Sequence, residues 1–179
     1  YAQKFPLAIS AHIAMEQSYG YVDGDSASMA ELICLISALI HSPIDQSFAI
    51  TGSVNQYGEA QAIGGVNEKI EGFFRLCNAR GLTGKQGVII PAANQRNLVL
   101  HDDVLEAVKA GEFHVYCVRH VDEAIHLLLD REPGIADADG NFPEGSVNGE
   151  IIKRLEAIAR MADPSSKTDN SQKDNAGDK

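Results

Sequence analysis

Apolar residues recur along this chain with two periods. From Leu7 to Met15 they alternate, with Leu7, Ile9, Ala11, Ile13 and Met15 on one side and His12 on the other, the pattern of a half-buried strand. From Ser28 to His41 the apolar residues Met29, Leu32, Ile33, Leu35, Ile36, Leu39 and Ile40 cover more than one face of a helix, so that helix should be buried, with Pro43 closing it. Phe48-Ala49-Ile50 starts a strand ending at Thr51-Gly52-Ser53, and Val54 to Ile63, with Asn55, Gly58 and small alternating residues, reads as a hairpin. Gly64-Gly65 breaks the strand and permits the turn into a helix from about Val66 to Arg80, stopped by Gly81. Its apolar stripe is Val66, Ile70, Phe73, Phe74 and Cys77. Lys69 lies on the flank of that stripe, where its amine would be partly dehydrated, and Arg75 points the opposite way.

Further on, Gly87-Val88-Ile89-Ile90-Pro91 is a short apolar strand and Asn94 to Leu98 one helical turn. Asp102 to Ala110 reads as a helix stopped by Gly111, Phe113 to Val118 as a strand, and Val121 to Arg131 as a helix capped by His120 or its neighbours. This alternation predicts a mixed α/β (α+β) domain over residues 1–131. Beyond it the character changes. Residues 132–161 form an extension whose Asp137-Ala138-Asp139-Gly140-Asn141 lacks the ligand spacing of a calcium loop and reads as a plain turn, and whose Val147 to Met161 forms a last helix. Residues 162–179, with Pro, Ser, Asp, Asn, Lys and Gly and no apolar residue except alanine, are expected to be a disordered tail.

Composition narrows the class. The chain is 44% hydrophobic, yet its longest uncharged apolar run, Leu32 to Ile40, is too short to span a bilayer, so no membrane role is expected. A net charge of −10 and a pI near 4.9 do not suggest a phosphate-tracking surface, and nucleic acid is not an indicated partner. Cys34, Cys77 and Cys117 are odd in number and form no CxxC pair. They read as reduced, mostly buried thiols of a cytoplasmic protein. His114, His120 and His126 recur every six residues, which matches neither a strand face nor a helix face, so no metal site is expected. The chain opens at Tyr1 directly into a strand-like pattern with no secretory signal before it, and is expected to be a piece of a longer polypeptide.

The candidate chemistry sits in the polar turn Val22-Asp23-Gly24-Asp25-Ser26-Ala27-Ser28. Ser28 with Glu31 has capping-box spacing, which starts the helix at Ser28 and leaves Ser26 two residues before it. The orphan amides and dipole of that helix would favour the alkoxide and oxyanion of acyl transfer. Read locally, the plainer alternative is that Asp25 or Ser26 caps the helix and nothing more. A serine hydroxyl is a weak nucleophile until a base removes its proton, and a neutral lysine can serve. Lysine in water titrates near 10.4, so a lysine base working near pH 7.5 needs a downward shift of about three units, within what burial supplies. Lys69 stands 43 positions after Ser26. Competing sets are thin: there is no G-x-S-x-G elbow and no phosphate-binding G-x-x-x-x-G-K-[ST], and a Cys117–His120 arrangement places its thiol mid-strand, where cysteines are usually core.

Four blocks in order, Asp23-Gly24-Asp25-Ser26-Ala27-Ser28, Thr51-Gly52-Ser53, Ile63-Gly64-Gly65-Val66-Asn67-Glu68-Lys69-Ile70-Glu71 and Val88-Ile89-Ile90-Pro91, resemble the proteolytic domain of Lon proteases. The match is better to the LonB-like and Lon-related branch, with Gly-Asp-Ser-Ala-Ser where the LonA branch has Gly-Pro-Ser-Ala-Gly. The resemblance covers roughly residues 5–130. It implies a compact α/β fold similar to ribosomal protein S5 domain 2, and a serine–lysine dyad peptidase with Ser26 as nucleophile and Lys69 as general base. Thr51 is then the hydroxyl that holds the lysine, and backbone amides around Asp23 and Ser26 form the oxyanion hole. It further implies unfolded intracellular proteins or peptides as substrates, a homo-oligomeric hexameric ring, and no cofactor in this domain. ATP and Mg²⁺ would serve an upstream AAA+ module on the same polypeptide. Two other readings stand beside it: a non-catalytic assembly or substrate-holding module of a larger ring, and a peptidase or amidase acting without ATP.

Overall fold

The computed structural model describes residues 1–15 and 24–163. They fall into two units, one spanning Ile13–Pro133 and the other joining Tyr1–His12 to the described residues from Gly134 on.

The first unit is built on a parallel three-stranded sheet in the order β1 (Phe48–Ile50), β4 (Gly87–Pro91), β5 (His114–Val118). Central β4 is buried at every residue, which explains its unbroken apolar run where a half-exposed strand would alternate. Val88 and Ile90 join the core formed with α2 (Val66–Arg80) and α3 (Asp102–Lys109) through Val66, Ile70, Phe74, Cys77, Val104, Ala107 and Phe113. There Phe74 meets Phe113 edge-on, with ring centroids 5.2 Å apart. By strand alternation Ile89, also fully buried, points to the opposite face. α1 (Ser28–Ile40) and α4 (Val121–Leu129), which touch one another, bury Met29, Ile33, Ile36, Ala124, Ile125 and Leu128. Between β1 and α2, the short antiparallel hairpin of β2 (Ser53–Val54) and β3 (Ala60–Gln61) stands apart from the sheet.

In the second unit, Asp137 closes a turn by accepting the amides of Asp139 and Asn141, with Gly140 at φ +77°. α5 (Val147–Ala162) follows, its first turn capped by Ser146 Oγ, which accepts from Gly149 N at 3.3 Å.

Four expectations are corrected. Residues 7–15 form no strand, and Leu7, Ile13 and Met15 are exposed: alternation supplies an apolar face, but among the described residues no strand pairs with this segment. The Ser28–Glu31 capping box does not form. Ala27 occupies the cap position, and Ser28 Oγ instead accepts from Val54 N at 3.2 Å, a tertiary bond replacing the local one. Cys34 is exposed, whereas Cys77 is buried and Cys117 half-buried. α4 stops at Leu129, where Asp130 turns left-handed at φ 50°. The tail expected over residues 162–179 lies, from residue 164 on, outside the described residues.

Candidate active site

Ser26 lies in the turn just before α1, and a zipper of bonds fixes that turn to the segment joining β1 to β2. Gly52 N donates to Ser26 O at 2.8 Å, and Met29 N returns a bond to Gly52 O at 3.1 Å. A Cβ built at Gly52 would stand 2.1 Å from Met29 Cε and 3.2 Å from Pro91 Cγ, so a side chain there would have to displace the tip of the buried Met29. Thr51, buried, is anchored to the central strand by its amide, which donates to Ile89 O at 3.0 Å. On either side of Ser26, Ser53 Oγ donates to Asp25 Oδ2 at 2.7 Å and Val54 N donates to Ser28 Oγ. Ser28 therefore already uses its oxygen in holding the turn.

Lys69, one turn into α2, brings its Nζ to 3.0 Å from Ser26 Oγ and 3.2 Å from Thr51 Oγ1. The Thr51 hydroxyl in turn donates to Ser26 O at 3.2 Å. Lys69 Nζ thus bridges the hydroxyls of Ser26 and Thr51, and the Thr51 hydroxyl closes the ring on the main-chain carbonyl of Ser26. The fold brings together Ser26 and Lys69, which the sequence singles out, and Thr51, which the family resemblance adds. As a residue Lys69 remains exposed, so the partial dehydration expected from its place beside the apolar stripe is not supplied by α2 itself. Its helical neighbour Glu71 is turned elsewhere, to His101 N at 3.2 Å, His101 Nε2 at 3.4 Å and Arg75 Nη2 at 3.7 Å.

The first turn of α2 is held by two reciprocal amide clasps. Asn94, 3% exposed, accepts from Ile63 N at 3.0 Å and donates to Ile63 O at 2.8 Å, as a neighbouring strand would. Asn67 answers from α2, accepting from Val99 N at 3.1 Å and donating to Asn97 O at 3.4 Å. With Gly65 at φ +65°, these bonds fix where α2 starts, and so where Lys69 projects.

The donors for an oxyanion are partly accounted for. Ser28 N is given to Asp25 O at 3.0 Å and Met29 N to Gly52 O, so these two helix-start amides are occupied within the turn itself. Asp23, the other expected contributor, lies outside the described residues.

The competing arrangement through Cys117 and His120 is not assembled for catalysis. Burial pushes the Cys117 thiol above its ordinary value, which disfavours the thiolate. His120 is structural: Nδ1 accepts from Asp122 N at 3.2 Å, and Nε2 lies 3.0 Å from Tyr57 O at the hairpin tip. His114 and His126 likewise face the carbonyls of Gly84 and Arg131. Sequence reasoning missed Asn67, Asn94 and the Asp25–Ser53 bond. The signal was that Asp25, Ser53 and Asn67 stood inside motifs already marked; nothing along the chain shows their partners.

The sequence profile of the Lon protease (S16) C-terminal proteolytic domain matches residues 4–131. Among curated proteins, the chain is 59% identical over 124 residues to a Lon protease homologue of Escherichia coli (strain K12), covering 69% of this chain and 21% of the relative. It is 48% identical over 155 residues to a Lon protease homologue of Haemophilus influenzae, covering 86% of this chain and 26% of that one. An archaeal Lon protease of Methanocaldococcus jannaschii is 39% identical over 119 residues, 66% of this chain and 16% of the relative. The chain thus spans about a fifth to a quarter of the length of the first two relatives.

Proposed function

This chain belongs to the family of Lon protease (S16) C-terminal proteolytic domains, and from that premise we propose that it hydrolyses peptide bonds with Ser26 as nucleophile and Lys69 as general base. The observation carrying this reading is the 3.0 Å approach of Lys69 Nζ to Ser26 Oγ.

In the reactive form Lys69 is a neutral amine with two N–H bonds and one lone pair. Thr51 Oγ1, whose own proton goes to Ser26 O, accepts one of those N–H bonds. That contact turns the lone pair toward Ser26 Oγ. As Oγ attacks the scissile carbonyl carbon, its proton passes to Nζ and the carbonyl oxygen becomes an oxyanion. The ammonium then protonates the departing amine, the C–N bond breaks, and an acyl ester remains on Ser26. Water repeats the sequence: Nζ takes its proton, hydroxide adds to the ester, and Oγ leaves with the proton returned from Lys69. No metal or organic cofactor enters these steps in this domain.

Around this chemistry we place residues 1–131 as the proteolytic domain and 132–161 as an extension, in line with the family match ending at residue 131. The family resemblance suggests an upstream AAA+ module using ATP and Mg²⁺, and the relatives are long enough to hold one. On this reading the substrates are unfolded or damaged proteins threaded to Ser26 in a hexameric ring of identical chains. Among the described residues no helix is long and apolar enough to cross a membrane. The three free cysteines are what a cytoplasmic setting would keep reduced.

The test is labelling with a fluorophosphonate followed by mass spectrometry of the intact protein and its peptides. One adduct on Ser26 is expected, slowed about 10²–10⁴-fold in Lys69→Ala, the usual contribution of a general base. Labelling elsewhere, or at an unchanged rate in Lys69→Ala, would overturn the dyad.

A further inference from the structure

The bond between Ser53 and Asp25 is not used by the mechanism above, although it adjoins the nucleophile directly. Ser53 is 4% exposed and lies on β2, where it pairs with Gln61 across the hairpin. Asp25 is exposed and immediately precedes Ser26. The Ser53 hydroxyl has one proton. At 2.7 Å Asp25 Oδ2 takes it, while Gln61 Oε1 at 3.4 Å is too distant to compete. A buried hydroxyl thus holds an exposed carboxylate against the hairpin side of the turn.

The reaction gives this restraint a purpose. When Ser26 attacks, negative charge develops on the former carbonyl oxygen beside it, and stabilising that charge usually lowers the barrier to acyl transfer more than any other single effect. A carboxylate one residue away, free to rotate, opposes the oxyanion as any like charge does and competes for the same amide donors. Tied down by a charge-assisted bond, it does neither. The donors left at the helix start are few, since Ser28 N and Met29 N are already given to Asp25 O and Gly52 O.

We propose that Ser53 is a positioning residue for peptide-bond hydrolysis: its hydroxyl holds the Asp25 carboxylate on the β2 side of the nucleophile turn, away from the place where the oxyanion forms. This rests on Ser26 being the nucleophile. It assigns the small polar residue after Thr51-Gly52 a part in the reaction through charge placement, with no contact to substrate.

A cycle of four full chains tests it: the parent, Ser53→Ala, Asp25→Asn and the double variant, each measured for kcat and KM on a fluorogenic peptide. Loss of the bond to a charged partner is expected to lower kcat about ten-fold or more in Ser53→Ala, with KM within about two-fold. Asp25→Asn removes the charge. In that background Ser53→Ala is expected to cost less than about two-fold, so the double variant recovers to the level of Asp25→Asn alone. A purely structural serine would not be suppressed in this way. Equal losses from Ser53→Ala in both backgrounds, or no loss in the parent, would overturn the proposal. If melting shows that Ser53→Ala does not fold, Ser53→Cys, similar in shape and a weak donor, takes its place, and absence of the same suppression counts against the proposal. Ser26→Ala is run alongside. Cleavage surviving it removes the functional reading and this one together, whereas cleavage lost there beside an unmoved Ser53→Ala removes this one alone.

Discussion

Thr51 does two things with one oxygen, and its identity follows from both. As donor it holds Ser26 O, a task it shares with Gly52 N; as acceptor it is the partner of Lys69 Nζ besides Ser26 Oγ. Valine has the same shape without either capacity. Thr51→Val is therefore expected to lower kcat about ten-fold or more by freeing the lysine's orientation, while stability falls by only about 1 kcal/mol, the usual net worth of a hydrogen bond. Thr51→Ser should retain most of the activity. Paired kinetics and thermal melts check this, and an unchanged kcat in Thr51→Val would remove Thr51 from the site. The residue types of this chemistry were legible along the chain, because few side chains can activate a serine, and the resemblance of the blocks around Ser26 and Lys69 to the Lon proteolytic domain joined the two. The role of Ser28 was not legible. Its capping spacing with Glu31 is real, but Val54 N takes its oxygen, and no local rule knows that β2 passes there.

At the scale of elements, the position of Lys69 depends on where α2 begins, and that is decided by Asn94 and Asn67 from opposite sides of one contact. Asn94→Ala leaves the N–H and C=O of Ile63 without these partners in a site that is nearly closed to water. It is expected to cost about 1–3 kcal/mol and to lower kcat as the first turn of α2 loosens. Hydrogen exchange at the Ile63 amide should accelerate while that in β4 keeps its order; protection unchanged at Ile63 would refute the clasp. The periods of α1, α2 and β4 predicted these elements closely, since each buries enough apolar residues to mark the sequence. Leu7–Met15 shows the converse. It has the alternation of a strand but no partner strand among the described residues, and a strand exists only through its ladder.

At the scale of the whole molecule, the catalytic candidates all belong to the unit Ile13–Pro133, and the other unit has its own local order. There the amides of Asn141 and Asp139 hold the Asp137 carboxyl below its ordinary 3.8, the Asn141 backbone bond contributing most. A lowered folded value means that the ionised turn is favoured at neutral pH and loses that preference as pH falls through the lowered value. Acidification below about pH 4 is thus expected to loosen residues 137–141. An NMR titration should place the Asp137 midpoint below 3.8, and a midpoint at or above it would contradict the turn. What the sequence by itself determined is what repeats or is chemically scarce: a mixed α/β order, a short apolar strand at Gly87–Pro91, a candidate serine–lysine pair, and a change of composition after residue 131. The tertiary structure alone decided how the pair is held. Asp25 meets Ser53, Thr51 meets Ser26 and Lys69, and Asn94 meets Ile63, at separations of 18 to 43 residues. Such contacts depend on how the sheet stacks its connections, and periodicity along a chain carries no information about that.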